Sequence, residues 1–182
     1  MAGTTGHEQK PGRSRSSKIA TWGFWGVVII VLFFIFQGVF GSKLEQGDIA
    51  PDLEVTLEGQ EYESSLAELC SDRPALLVFV TPGCYACQAQ LSSLGYRKKD
   101  VPFDVYVVTR RSGEWLEQEF EKAGSSFPVV LDPGSELHRT FRVAFYPTSA
   151  LLGTDRKLVF KTRGFSSRLT GRAKLLIKEE AP

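Results

Sequence analysis

The order of apolar runs along this 182-residue chain predicts an α/β domain, a mixed sheet with helices on both faces, behind one N-terminal transmembrane helix. Three observations carry that prediction. Short strand-like runs alternate with segments of helical periodicity in the order βαβ, βα, ββα. The last two runs flank a Gly153-Thr154-Asp155 turn, which fits an antiparallel hairpin. An uncharged stretch of 22 residues, Ile19 to Phe40, precedes them all.

Residues 1–18 are polar and basic, with Lys10, Arg13, Arg15 and Lys18 against Glu8. So few apolar side chains cannot offset the entropy of ordering, and a disordered tail is expected. The stretch 19–40 matches the roughly 20 apolar residues that cross a bilayer, and Trp22 and Trp25 lie near its basic end. Four cations precede this stretch, whereas Lys43 beyond it is soon matched by Glu45 and Asp48. The positive-inside rule therefore expects a single-pass protein of the cytoplasmic membrane, its N-terminus inside and residues 43–182 outside. An uncleaved signal-anchor is favoured over a cleaved signal peptide. The apolar run exceeds the roughly 7–15 residues of an h-region, and Gly38-Val39-Phe40-Gly41-Ser42 is a poor cleavage site.

The exported part carries a net charge of −2 and no basic cluster suited to nucleic acid. With three cysteines in the whole chain, it is not a disulfide-stapled scaffold and must rely on a core. Residues 41–52 read as a stalk leading into a domain over 53–182. Leu53, Val55 and Leu57, then Glu58-Gly59 and Tyr62, alternate like a small hairpin. Ser64 or Ser65 can cap a short helix through Leu66 and Leu69. Leu76 to Val80 is a continuous apolar run, as in a strand buried on both faces.

A helix follows from about Cys84 to Tyr96, with Cys87, Leu91 and Leu94 at helical steps. Val105 and Val107 mark a strand ending at Thr109. Trp115, Leu116, Phe120 and Ala123 mark an amphipathic helix. Val129 to Leu131 is a short strand and Ser135 to Phe141 a short helix. Thr148–Leu152 and Leu158–Thr162 form the hairpin strands, and Leu169, Leu175, Leu176 and Ile177 suggest a final helix.

The chemistry concentrates at Cys84 and Cys87. A buried strand and a Thr81-Pro82-Gly83 turn deliver both thiols to a helix N-terminus. Backbone N–H groups and the helix dipole there favour thiolate over thiol, and the second thiol can close a disulfide.

Four stretches give the domain its family likeness: Gly47-Asp48-Ile49-Ala50-Pro51-Asp52-Leu53, the Cys84–Cys87 pair, Phe127-Pro128-Val129-Val130-Leu131-Asp132, and Phe145-Tyr146-Pro147-Thr148. With them the chain resembles the thioredoxin fold, and specifically the membrane-anchored TlpA/ResA-type thiol–disulfide oxidoreductases, here with an N-terminal hairpin extension. The resemblance implies Cys84 as nucleophile and Cys87 as resolving thiol. It implies Pro147 as a cis-proline against the disulfide, and Tyr146 as a backbone partner for an extended substrate chain. Pro82, Gly83, Tyr85, Ala86 and Gln90 would support the site. No cofactor beyond the redox-active Cys84–Cys87 disulfide is implied. The partners implied are thiols or disulfides of exported proteins, apocytochrome c or another metalloprotein among them, with a membrane thiol reductase or oxidase as electron partner.

The departures bear on mechanism. Gly83 stands where thioredoxins carry tryptophan, Val78 where they bury an acid, and Gln90 where the TlpA/ResA pattern often has glutamate. Proton transfer at Cys87 is then expected to use water or backbone. Competing readings are a structural disulfide, a zinc half-site and a non-catalytic binding module. Zinc would have only Cys70 and His138 as further candidate ligands, and no metal site is expected. A peroxiredoxin-like peroxidase has Thr81 three residues before Cys84 in its favour and Leu77, in place of proline, against it. Cys70 reads as a buried, inert thiol and His138 as a surface or half-buried residue.

Overall fold

The computed structural model describes residues 28–31, 44–60 and 62–180. The chain divides into two units, Met1–Ser42 and Lys43–Pro182. Of the first, only residues 28–31 are described, and they are helical. The expected tail and nearly all of the expected span 19–40 lie outside the described residues. Among the described residues, no helix is long and apolar enough to cross a membrane.

The second unit runs β1 (Glu54–Leu57), β2 (Glu63–Ser65), α1 (Leu66–Cys70), β3 (Ala75–Phe79), α2 (Tyr85–Arg97) and β4 (Asp104–Thr109). It continues with α3 (Glu114–Ala123), β5 (Val129–Leu131), α4 (Glu136–Thr140), β6 (Thr148–Leu152), β7 (Leu158–Arg163) and α5 (Leu169–Glu180). A single turn of 3-10 helix, Lys98–Asp100, ends α2 and has no counterpart in the sequence reading.

One seven-stranded sheet has the order β2-β1-β5-β4-β3-β6-β7. β3, β4 and β5 are parallel neighbours, and β6 runs antiparallel to β3. The expected N-terminal hairpin does form. It does not stand apart, because β1 pairs antiparallel with β5 and extends the sheet. The chain before it is also fastened down: the Gly47 N–H bonds the Leu158 carbonyl, the Ala50 N–H bonds the Arg156 carbonyl, and Ala50 is fully buried. The expected stalk is thus packed on the domain from Gly47 onward.

β3 shows why the sequence makes a central strand here. All five of its residues are buried, and alternate side chains serve opposite faces. Leu76, Val78 and the following Val80 join Cys87, Leu91 and Leu94 of α2, Leu116 of α3, and Leu169 and Ala173 of α5. Ala75, Leu77 and Phe79 join Leu66, Leu69 and Cys70 of α1, and Leu137 and Phe141 beside α4. Each fully buried leucine contributes about 1.5–3 kcal/mol, so this strand clamps both helical layers. α1 starts at Ser65, whose hydroxyl accepts the Glu68 N–H while the Glu68 carboxylate accepts the Ser65 N–H.

Candidate active site

The two expected cysteines are joined, Cys84 to Cys87, with Cα atoms 5.2 Å apart. Their position follows from the turn before them. Pro82 and Gly83 link β3 to α2, and Gly83 sits at φ +70°, a left-handed conformation open to glycine without strain. Proline followed by a positive-φ glycine is the sequence of a type II turn, and it aims the next residue at the head of the helix.

Cys84 immediately precedes the first residue of α2 and behaves as its cap. Its carbonyl accepts the N–H groups of Cys87 (2.9 Å) and Gln88 (3.1 Å). Its Sγ accepts the Cys87 N–H at 3.1 Å. Serine and aspartate caps use the same donor, so the sulfur occupies a place built for a polar or anionic acceptor. Burial separates the two thiols. Cys84 is partly exposed, whereas Cys87 retains only 3 % of its surface. Tyr85, 87 % exposed, and Ala86 stand in solvent between them.

The Tyr146–Pro147 peptide bond is cis. Register brings it to the thiols: Phe79 of β3 pairs with Thr148 of β6, so the residues beyond Phe79, on the way to Cys84, run alongside Pro147 and Tyr146. Pro147 is buried and Tyr146 half-buried. Thr81, Pro82 and Tyr146 line one crevice of about 300 Å³, with Thr109, Arg110 and Arg111 from the end of β4. It opens at the carboxyl ends of parallel strands, where α/β sheets usually bind ligands.

Gln90 is buried on the face of α2 that carries Cys87. Its Oε1 accepts the Ser166 N–H at 2.8 Å, and its Nε2 points to the Ser166 carbonyl at 3.5 Å. The amide latches α2 to the segment before α5. Val78, at the position where thioredoxins bury an acid, is wholly buried among apolar side chains.

One expectation changes. His138 is not at the surface: it is 3 % exposed, and its Nδ1 lies 2.5 Å from Asp132 Oδ2. Asp132, itself buried, also accepts the N–H groups of Glu136 and His138. It thereby caps α4. The imidazole packs between Phe79 and Tyr146, with ring centroids 5.1 Å and 6.0 Å away. Burial lowers the His138 pKa below its ordinary 6.5, the Asp132 carboxylate opposes that shift, and Arg110 adds to it. The sequence signal for this buried pair was Asp132 before Pro133-Gly134 and a short helix, a helix-start pattern.

Cys70 is fully buried, and burial pushes its thiol pKa up to about 11. It packs in the cluster on the other side of the sheet from Cys84 and Cys87, so it cannot act as a third thiol of the site. Among the described residues, no group of His, Cys, Asp or Glu could hold a metal ion.

The AhpC/TSA family profile matches residues 46–177. A thiol–disulfide oxidoreductase ResA from Bacillus cereus is 27 % identical over 152 residues, covering 76 % of this chain and 85 % of the relative. Among solved structures, a protein described as the thiol:disulfide interchange protein DsbE from Chlorobium tepidum has a TM-score of 0.59 at 20 % identity, covering 75 % of this chain and 98 % of its own. Peroxidoxin BcpB from Mycobacterium tuberculosis has a TM-score of 0.63 at 18 % identity, covering 76 % and 99 %. At such identities the two structures speak for the fold alone. Helix-capping cysteine, cis-proline strand and family profile converge on one conclusion: the chain belongs to the thioredoxin-like AhpC/TSA family, as a relative of the ResA-type thiol–disulfide oxidoreductases.

Proposed function

We propose that this protein is a thiol–disulfide oxidoreductase that works on exported proteins from the outer side of the cytoplasmic membrane. The observation that carries the reading is the asymmetry of the disulfide. A reachable sulfur caps a helix N-terminus, and a nearly buried one sits behind it. Exchange needs a thiolate, access to it, and a second thiol to release the mixed disulfide.

In the reductive direction, the Cys84 thiolate attacks one sulfur of a partner disulfide. The partner S–S bond breaks, a Cys84–partner bond forms, and the other partner sulfur leaves as thiolate. Cys87 then loses its proton and attacks the Cys84 sulfur, releasing the second partner thiolate. Two electrons have passed to the partner, and the Cys84–Cys87 disulfide remains. With Val78 apolar and the Gln90 amide held by Ser166, neither position supplies an acid for the Cys87 proton, and water or backbone takes it. The reverse sequence oxidises a partner dithiol. Tyr146 and Pro147 serve the approach of an extended substrate chain, while Pro82, Gly83, Tyr85, Ala86 and Gln90 shape the site.

The domain plan is a cytoplasmic tail (1–18), a signal-anchor (19–40) and a short stalk from residue 41 that joins the catalytic domain at Gly47. The uncharged 22-residue stretch and the flanking charges support it. A membrane thiol reductase or oxidase resets the pair, and a role in cytochrome c or other metalloprotein maturation fits the likeness to ResA.

A Cys87→Ser variant should accumulate mixed disulfides with exported proteins, and Cys84→Ser should not. No thiol-linked partner, together with no dithiol-dependent insulin reduction, would overturn the reading. Protease added to intact spheroplasts should digest the domain; protection would refute the topology. A thiol peroxidase is the second reading, favoured by Thr81 lining the crevice beside the turn to Cys84. It predicts peroxide consumption far above that of free cysteine.

A further inference from the structure

The crevice between the disulfide turn and the end of β4 is polarised. Two consecutive arginines, Arg110 and Arg111, line it, and none of its lining residues is a carboxylate. Both arginines are exposed, and among the described residues neither forms an ion pair with an acidic side chain. Their backbone is fixed from behind: the Thr109 hydroxyl accepts the Arg111 N–H and donates to the Arg111 carbonyl. The nearest buried acid of this region, Asp132, is occupied by His138 and the α4 backbone. The same crevice is lined by Tyr146, where an extended substrate chain would pair, and by Thr81 and Pro82, which lead to Cys84.

We propose that Arg110 and Arg111 form a subsite for an acidic side chain, so that the protein prefers disulfides with aspartate or glutamate close to the attacked cysteine. The inference rests on the oxidoreductase reading and supplies its substrate class. In an extended chain, side chains recur on one face about every 7 Å. A residue two positions from the attacked cysteine can therefore reach the crevice while the sulfur meets Cys84. Arginine suits the role because its planar fork binds a carboxylate by two charge-assisted hydrogen bonds.

The test uses the full chain in detergent, reduced with dithiothreitol and freed of excess reductant. It is mixed with three short peptides, each closed by one disulfide and identical except for aspartate, asparagine or lysine two positions from the first cysteine. Peptide thiols are followed by mass spectrometry. The aspartate peptide should be reduced with roughly ten-fold higher kcat/KM than the lysine peptide, the scale of one charge-assisted contact. The preference should shrink as salt is raised. R110Q/R111Q should abolish the ratio, and R110K/R111K should keep part of it. Equal rates for all three peptides with the unaltered protein would overturn the subsite and leave disulfide exchange standing. Reduction of none would overturn both. A ratio unchanged in R110Q/R111Q would assign the preference to other residues and also refute the proposal.

Discussion

Removal of Cys87 sulfur should leave Cys84 an unusually reactive thiolate, and the size of the effect can be worked from the helix that it caps. In a Cys87→Ala variant the residue 87 N–H remains, 3.1 Å from the Cys84 sulfur as now placed. A capping hydrogen bond is worth about 1 kcal/mol, and a charge at the terminus of a partly buried helix gains about 0.3–2 kcal/mol from the dipole. The two overlap, so about 1–2 kcal/mol in favour of the anion is a fair total. That raises the thiolate-to-thiol ratio roughly five- to thirty-fold over an ordinary cysteine. The assay is the pH dependence of iodoacetamide alkylation, read by mass on the tryptic peptide that contains Cys84. Cys70 provides an internal contrast, because its buried thiol, with a pKa of about 11, should stay unmodified in the native protein at neutral pH. If Cys84 titrated like free cysteine, the helix terminus would not be activating it, and the nucleophile assignment would lose its physical basis.

The buried Asp132–His138 pair sets a pH response. The His138 pKa is lowered in the fold, so below its ordinary value of 6.5 the unfolded chain binds a proton that the native state does not. Stability from this group is therefore present above 6.5 and is lost as pH falls below it, by up to about 1.4 kcal/mol per pH unit. Urea unfolding at several pH values should show a shallower decline between neutral and mildly acidic pH in His138→Gln than in the unaltered protein; parallel curves would refute the assignment. Gln90→Leu takes the acceptor from the half-buried Ser166 N–H and should cost about 1 kcal/mol in urea unfolding. Unchanged stability would mean that the latch does nothing. Gly83→Ala puts a side chain at φ +70° with open space around the new Cβ, so strain alone, about 1–2 kcal/mol, should appear. Cys84 alkylation in the reduced variant should slow as the turn re-aims it, and unaltered rates would show that the turn does not position the sulfur.

Much of this was legible along the chain because its signals are local. The apolar run Leu76–Val80, the Pro82-Gly83 turn and the two cysteines at helical spacing lie within twelve residues of one another. Ser65 with Glu68 encodes a helix start within a single turn. Other features depend on partners far away in sequence. His138 reads as a surface or half-buried residue because nothing adjacent reveals that Phe79 and Tyr146 close over it. Gln90 read as a missing acid, and only its bond to Ser166, 76 residues later, makes it a latch.

Periodicity, turn chemistry and cysteine spacing were by themselves enough to specify an α/β domain presenting a dithiol at a helix head, since each is a short-range property of the backbone. Where the strands stand in the sheet was decided in three dimensions: β1 and β2 extend the edge beyond β5, and β6 brings Pro147 beside the disulfide turn. So was the meeting of Arg110 and Arg111 with Tyr146 around one crevice. Such neighbours are chosen by which faces bury each other's apolar surface, and no stretch of sequence carries that information alone.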